Sequence, residues 1–237
     1  MEPLNHQMMG YDRAVSMFSP DGRLLQVEYA KKTVTQGSTT VGIICKEGVV
    51  LVAEKKLPSK LIIPHSVEKV FEIDSHIAAT FAGITSDARI LIDRSQIKAQ
   101  QHKITYSSPS DIISIVKDIS DLKQYTTQSG GLRPFGVALV IGGIDLDGPK
   151  LYVTDPTGIY FRYNAVAIGE HDIKVEELLA EKYKESLTIT EAIKLAISSL
   201  KEASDDTLTK ERFDVGYISV KDKQFVKLSI DDIGKHM

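Results

Sequence analysis

Leu24, Val27, Ala30 and Val34 recur at three- and four-residue steps, with Leu25 and Tyr29 four apart beside them. That spacing predicts an amphipathic helix ended by Gly37. Just before it, Ser19-Pro20-Asp21-Gly22 has the residue order of a tight turn, with proline second and glycine fourth. The period then shortens. TTVGIIC and VVLVAEKK are β-branched runs separated by KEG, and VEKVFEID and IAATFAGI are separated by SH, so each pair reads as a hairpin. Two helices should follow. The first, SDARILIDRSQIKAQQ, starts with Ser86 as N-cap, has an acidic first turn and ends near Gln101; SPSDIISIVKDISDLKQYTT repeats the device after Pro109. Strands return in VALVIGGID, PKLYVTD and GIYFRYNAVAIG, helices in VEELLAEKYKE and TITEAIKLAISSLKEAS, and strands again in FDVGYISVK and FVKLSID.

Strands and helices are therefore grouped, which argues for an α+β fold of mostly antiparallel sheets and against a doubly wound parallel sheet. Two sheets packed face to face, with helix pairs outside them, would cover every apolar face named above. At 237 residues the chain fits one large domain or two small ones, and composition marks no boundary. The opening MEPLNHQMMG is too polar and mixed to pack alone and is expected to be a mobile tail over residues 1–10.

Charge and composition narrow the partners. Lys and Arg number 29 against 32 Asp and Glu, a net charge of -3, which gives no electrostatic footprint for nucleic acid or an anionic membrane. The opening lacks a basic segment followed by about 7 to 15 apolar residues, so no secretory signal is expected. No run of about 18 apolar residues suggests a membrane span. The single cysteine, Cys45, reads as a buried thiol in a reducing cytoplasm. Walker, GxGxxG, GxSxG and CxxC patterns are absent, and His6, His65, His76, His102, His171 and His236 are scattered without metal-ligand spacing. No cofactor or metal is expected. DLDG at Asp145 to Gly148 reads as a hairpin turn, because the distal glutamate of a calcium loop is missing.

One group carries candidate chemistry. Ser38 and Thr39 open the first strand, Glu54 lies on the second and Lys69 on the third, types that fit an amine-activated hydroxyl nucleophile. Such a nucleophile needs a free α-amine on its own residue, and 37 residues precede Ser38. Two readings stay open: strand hydroxyls with a solvated charge pair, or a hydrolase activated by cleavage before Ser38.

From YDRAVSMFSPDGRLLQVEYA through VEKVFEID, FAGITSDARILID and GGLRPFGVALVIGGID to DPTGIYFRYNAVAIG, the chain resembles archaeal-type 20S proteasome α subunits. Proteasome β subunits share the opening at TTVGI but lack the YDR-turn-helix segment. The resemblance implies a four-layer αββα sandwich over residues 11–237, a single domain. It also implies a non-catalytic subunit, with no catalytic residue, in homo-heptameric rings that cap β rings and gate the entry of unfolded polypeptide. The helix from Leu24 would lie over the cleft that β subunits open. Lys69, Gly37, Gly22 and Glu28 match the pocket that receives the C-terminal hydrophobic-Tyr-any motif of AAA+ regulatory ATPases. Tyr11, Asp12, Arg13, Pro20 and Tyr29 match the gate cluster, and Ser129, Gly130 and Gly131 the loop of the inner pore. There the chain departs from the family, reading Thr126-Thr127-Gln128-Ser129 where an aromatic residue or histidine is usual before the glycine pair. Smaller polar side chains imply a wider or softer constriction.

Overall fold

The computed structural model describes residues 10–57, 59 and 61–237, so most of the expected tail lies outside the described residues. Its strands are β1 (Thr40–Cys45), β2 (Gly48–Glu54), β3 (Val70–Asp74), β4 (Ile77–Gly83), β5 (Val137–Asp145), β6 (Gly148–Thr154), β7 (Tyr160–Arg162), β8 (Ala165–Ile168), β9 (Phe213–Ser219) and β10 (Phe225–Lys227). They form two antiparallel five-stranded sheets, ordered β10-β9-β2-β1-β8 and β3-β4-β5-β6-β7. The helices are α1 (Leu25–Thr35), α2 (Thr85–Tyr106), α3 (Ile112–Gln128), α4 (Asp172–Lys182), α5 (Ile189–Ala203) and α6 (Ile230–Gly234).

Alternation along the strands builds three apolar layers. On β2, Val50 and Val52 face α4 and α5, while Val49, Leu51 and Ala53 face the other sheet. On β5, Val137, Leu139 and Ile141 face α2 and α3, while Ala138 and Val140 meet the first sheet. Helices thus cover both outer faces, giving the αββα sandwich, and strands buried on two faces read as unbroken apolar runs. Gly42 and Gly142 let the sheets approach: a Cβ on Gly42 would lie 2.8 Å from Leu151 Cδ1 and 2.9 Å from Val140 Cγ1.

Several local expectations give way to tertiary contacts. Ser86 does not cap α2, which starts after the extended Ile84; Asp87 instead accepts from both terminal nitrogens of Arg133 at 2.7 Å and from Gly136 N at 2.9 Å. Helix α3 has no side-chain cap of its own either. Asp145 in the β5–β6 turn takes the Ile112 amide at 3.1 Å, so the DLDG turn also supports a distant helix. The run GIYFRYNAVAIG is two strands in different sheets. Tyr163 N donates to Leu151 O of the second sheet at 2.9 Å, and the next residue, Asn164, accepts from Ile44 N of the first at 2.7 Å. FVKLSID likewise ends early as β10, and Ser229 accepts from Asp232 N to start α6. Thr188 and Glu191 form a reciprocal capping box at the start of α5.

Leu151 is fully buried between the sheets. Leu151→Ala should cost about 2–5 kcal/mol and lower the thermal midpoint. The equivalent change at the exposed Leu146 should stay within about 0.5 kcal/mol, both read by thermal unfolding.

Candidate functional site

Helix α1 lies across one end of the sandwich, against β4 and β5. Thr33 Oγ1 donates to Gly136 O at 2.8 Å, fixing the helix to the entry of β5. The chain then turns into β1 at Gly37, where backbones nearly touch: a Cβ there would sit 2.3 Å from Gly83 N, and Gly37 O accepts from Glu170 N at 2.8 Å. Only glycine fits that corner.

Ser38 follows, buried, and Lys69 reaches it from the start of β3. Lys69 Nζ donates to Ser38 Oγ at 2.7 Å and Ser38 O at 3.0 Å, and lies 5.0 Å from the Phe81 ring centroid. Burial pushes the Lys69 pKa down to about 7, against the opposing fields of Glu54 and Asp214 and with help from Lys56. Asp214 Oδ2 accepts from Lys69 N at 2.8 Å and Val70 N at 3.0 Å, which fixes the backbone that aims the ammonium. The solvated Glu54–Lys69 pair is not what forms. Both side chains are buried, and Glu54 is bonded to Arg212 instead.

The hydroxyl and amine are close enough for proton transfer, but two features work against nucleophilic chemistry. The Ser38 nitrogen is acylated by Gly37 in the intact chain, and Ser38 and Lys69 are only 8% and 6% exposed. Thr39 is fully buried, with its Oγ1 accepting from His171 N at 3.1 Å. Cys45 is buried, and burial raises its pKa.

The other candidates fall at the two ends of α1. Ser19-Pro20-Asp21-Gly22 closes as a turn, with Gly22 N donating to Ser19 O at 2.8 Å and Gly22 at φ +75°. Arg23 Nε donates to Glu28 Oε1 at 3.2 Å, and the exposed pair holds the turn against the first turn of α1. Within one chain, Gly22 and Glu28 lie at the N-terminal end of α1, and Gly37 and Lys69 beyond its C-terminal end. A helix of 11 residues separates the two pairs by about 16 Å. Asp12 is held against α1, its carbonyl accepting from Gln26 Nε2 at 2.5 Å and its carboxylate facing Tyr29 Oη at 3.5 Å. Tyr11 is half-buried, while Arg13 and Pro20 are exposed.

At the end of α3, Thr126 and Thr127 are buried, not directed toward an opening. Their hydroxyls donate to Lys123 O and Gln124 O, each at 2.7 Å, so the residues left exposed are Gln128 and Gly130, then Gly131 at φ +85°, beside the half-buried Ser129. A cavity of about 410 Å³ between this end of α3 and the start of α1 is lined by Phe18, Leu24, Val27, Thr127 and Gln128.

Sequence reasoning passed over Asp214, Arg212 and Phe81. The signal for Asp214 was an acid inside the apolar run FDVGYIS, at a position that alternation turns inward.

The family model for proteasome subunits matches residues 34–218, and the N-terminal signature of A-type proteasome subunits matches residues 11–32. The chain is similar to the proteasome alpha subunit of Pyrococcus abyssi, 50% identical over 228 residues, covering 96% of this chain and 87% of the relative. It is 47% identical to that of Methanocaldococcus jannaschii over 225 residues, 95% of this chain and 86% of the relative. It is 44% identical to that of Methanothermobacter thermautotrophicus over 237 residues, 100% and 95% of the two chains.

A lysine whose folded pKa lies near 7, below its ordinary 10.5, binds protons less readily folded than unfolded. Its contribution to stability is therefore greatest above about pH 10.5, falls as pH drops toward 7, and levels off below that. Lys69→Met should flatten this part of the profile, so that its thermal midpoint changes less between pH 10 and pH 7 than that of the unaltered chain.

Proposed function

The chain belongs to the proteasome subunit family and carries its A-type N-terminal signature, and on that premise we propose that it is a non-catalytic α subunit. In this reading it forms a homo-heptameric ring on a ring of β subunits in the cytoplasm, gates the entry of unfolded polypeptide and receives the C-termini of an AAA+ ATPase. The observation that carries the non-catalytic reading is the covered corner at Gly37–Ser38. The hydroxyl beside Lys69 is buried, and its nitrogen is tied up in a peptide bond. The competing reading, a hydrolase processed before Ser38, draws on the 2.7 Å Ser38–Lys69 contact. It predicts a shortened chain with peptidase activity of its own.

Lys69 fits a carboxylate receptor for a physical reason. Its ammonium is desolvated, and the bonds it makes run to a hydroxyl and a carbonyl, with no carboxylate of the described residues in contact. A C-terminal carboxylate arriving between neighbouring subunits would supply the missing counter-charge through a charge-assisted bond. Gly37 allows close backbone approach there, while Gly22 and Glu28 would meet the penultimate tyrosine from the far end of a neighbouring α1. The Asp12–Tyr29 contact and the rigid turn at Pro20 serve this reading as gate parts, with Tyr11 and Arg13 beside them. Ser129, Gly130 and Gly131 would border the opening.

In the complex with a β subunit, a peptide ending in hydrophobic-Tyr-any should stimulate peptide hydrolysis, and Lys69→Ala should abolish the stimulation while the basal rate stays measurable. Because the carboxylate binds the protonated amine, affinity for the peptide should weaken as pH rises above 7, by up to about tenfold per unit. Unchanged stimulation by the Lys69→Ala complex would refute the pocket assignment.

A further inference from the structure

Helix α3 buries a lysine that neither the covered corner nor the pocket uses. Lys123 is completely inaccessible, with Nζ donating to Val137 O at 3.0 Å and Thr154 O at 2.9 Å. Those carbonyls belong to the first residue of β5 and the last of β6, where Leu139↔Thr154 is the final pair of the ladder. One ammonium therefore clamps two strand ends beneath the last turn of α3. The same turn folds back on itself: Lys123 O accepts from Thr126 Oγ1 at 2.7 Å, and Tyr125 O from Ser129 Oγ at 3.0 Å.

The neighbourhood is tight and holds little charge. Gly158, in the loop after β6, has φ +86°, and a Cβ there would lie 2.4 Å from Ser120 O of α3. Ser120 Oγ donates to Thr154 Oγ1 at 3.2 Å. Asp155, the residue after β6, is the charge that acts favourably on Lys123, and it pairs with Lys31 of α1 at 3.1 Å. On the β5 side, Asp87 of α2 and Arg133 neutralise each other at Gly136, one residue before Val137. Burial pushes the Lys123 pKa down to about 7, so its protonation changes around neutral pH.

A methionine of similar length would fill this space without desolvating an amine. The lysine supplies two bonds in their place, and the segment they anchor is the turn that ends in Ser129, Gly130 and Gly131. We propose that Lys123 is a positioning residue for this loop: it sets the width of the axial opening by pinning the end of α3 to β5 and β6. The proposal rests on the reading of Ser129–Gly131 as the loop that borders the opening. The protonated amine makes charge-assisted bonds, roughly twice as strong as those of the neutral amine. Burial outweighs that gain: an opened loop with a solvated Lys123 binds a proton more readily than the closed one, so the loop is held most firmly at high pH and loosens as pH falls toward 7.

The test uses the assembled complex with a β subunit, comparing the unaltered chain with Lys123→Met between pH 6 and pH 9. The readout is the rate of degradation of an unfolded fluorescent polypeptide divided by the rate of tripeptide hydrolysis, a ratio that cancels the pH response of the β active sites. For the unaltered complex the ratio should fall at least about threefold from pH 6 to pH 9. For Lys123→Met it should be high and flat, and amide exchange in residues 129–132 should quicken about tenfold or more. A Met variant with the unaltered profile and exchange overturns the proposal. If that variant does not assemble, the unaltered complex decides, and a ratio constant over the range overturns it. Absence of a ring, seen by native mass spectrometry, would instead count against the underlying reading.

Discussion

Each sheet of this protein is apolar on both faces, and neither can be stable in water alone. The sheets must meet each other through Leu51, Val140 and Leu151, and must also be covered outside by the α2–α3 and α4–α5 pairs. Four layers follow from that requirement. What the layers leave open is the end of the sandwich, where strand termini and polar groups collect. Helix α1 covers it, packing Leu25, Val27, Ala30 and Val34 inward. The glycine corner at Gly37 brings the chain from that cover directly into β1.

Covering the end determines what the polar groups beneath can do. Lys69 and Ser38 are held in a geometry compatible with proton transfer, but the Ser38 nitrogen, acylated by Gly37, supplies no base. An amine kept without a touching carboxylate is costly to bury and responsive to an anion that reaches it. The same trade is made at Lys123, where two strand-end carbonyls take the place of a counter-ion. The chain thus keeps two desolvated lysines at places that bear on its proposed traffic: one at the docking corner, one below the loop that borders the opening.

How much of this was legible in the sequence depended on how local the cause was. The SPDG turn, α1 and both early hairpins are set by spacing and turn residues within a few positions, and they stand where the pattern placed them. The starts of α2 and α3 were misread: Ser86 caps nothing while Asp87 is taken up by Arg133, and Asp145, distant in sequence, accepts the α3 amide that the residues after Pro109 were expected to cap. GIYFRYNAVAIG looked continuous because strand propensity carries no record of which sheet a residue joins. Only the opposite hydrogen bonds of Tyr163 and Asn164 reveal the crossing. At the site, Ser38 and Lys69 were grouped from their residue types and order, and the structure brings them to 2.7 Å. The Glu54–Arg212 bond was not legible, because two charged residues 158 positions apart give no pattern along the chain. Lys123 was hidden for a related reason: a lysine in an amphipathic helix ordinarily faces water.

In the proposed role this chain is a ring-forming subunit whose covered corner does no chemistry. Native mass spectrometry of the complex formed on co-expression with a proteasome β subunit tests it most directly. The expected product is a barrel in which seven copies of the chain form each outer ring, every copy retaining the residues that precede Ser38. A chain that stays monomeric with the β subunit present, or one shortened to begin at Ser38, would contradict it.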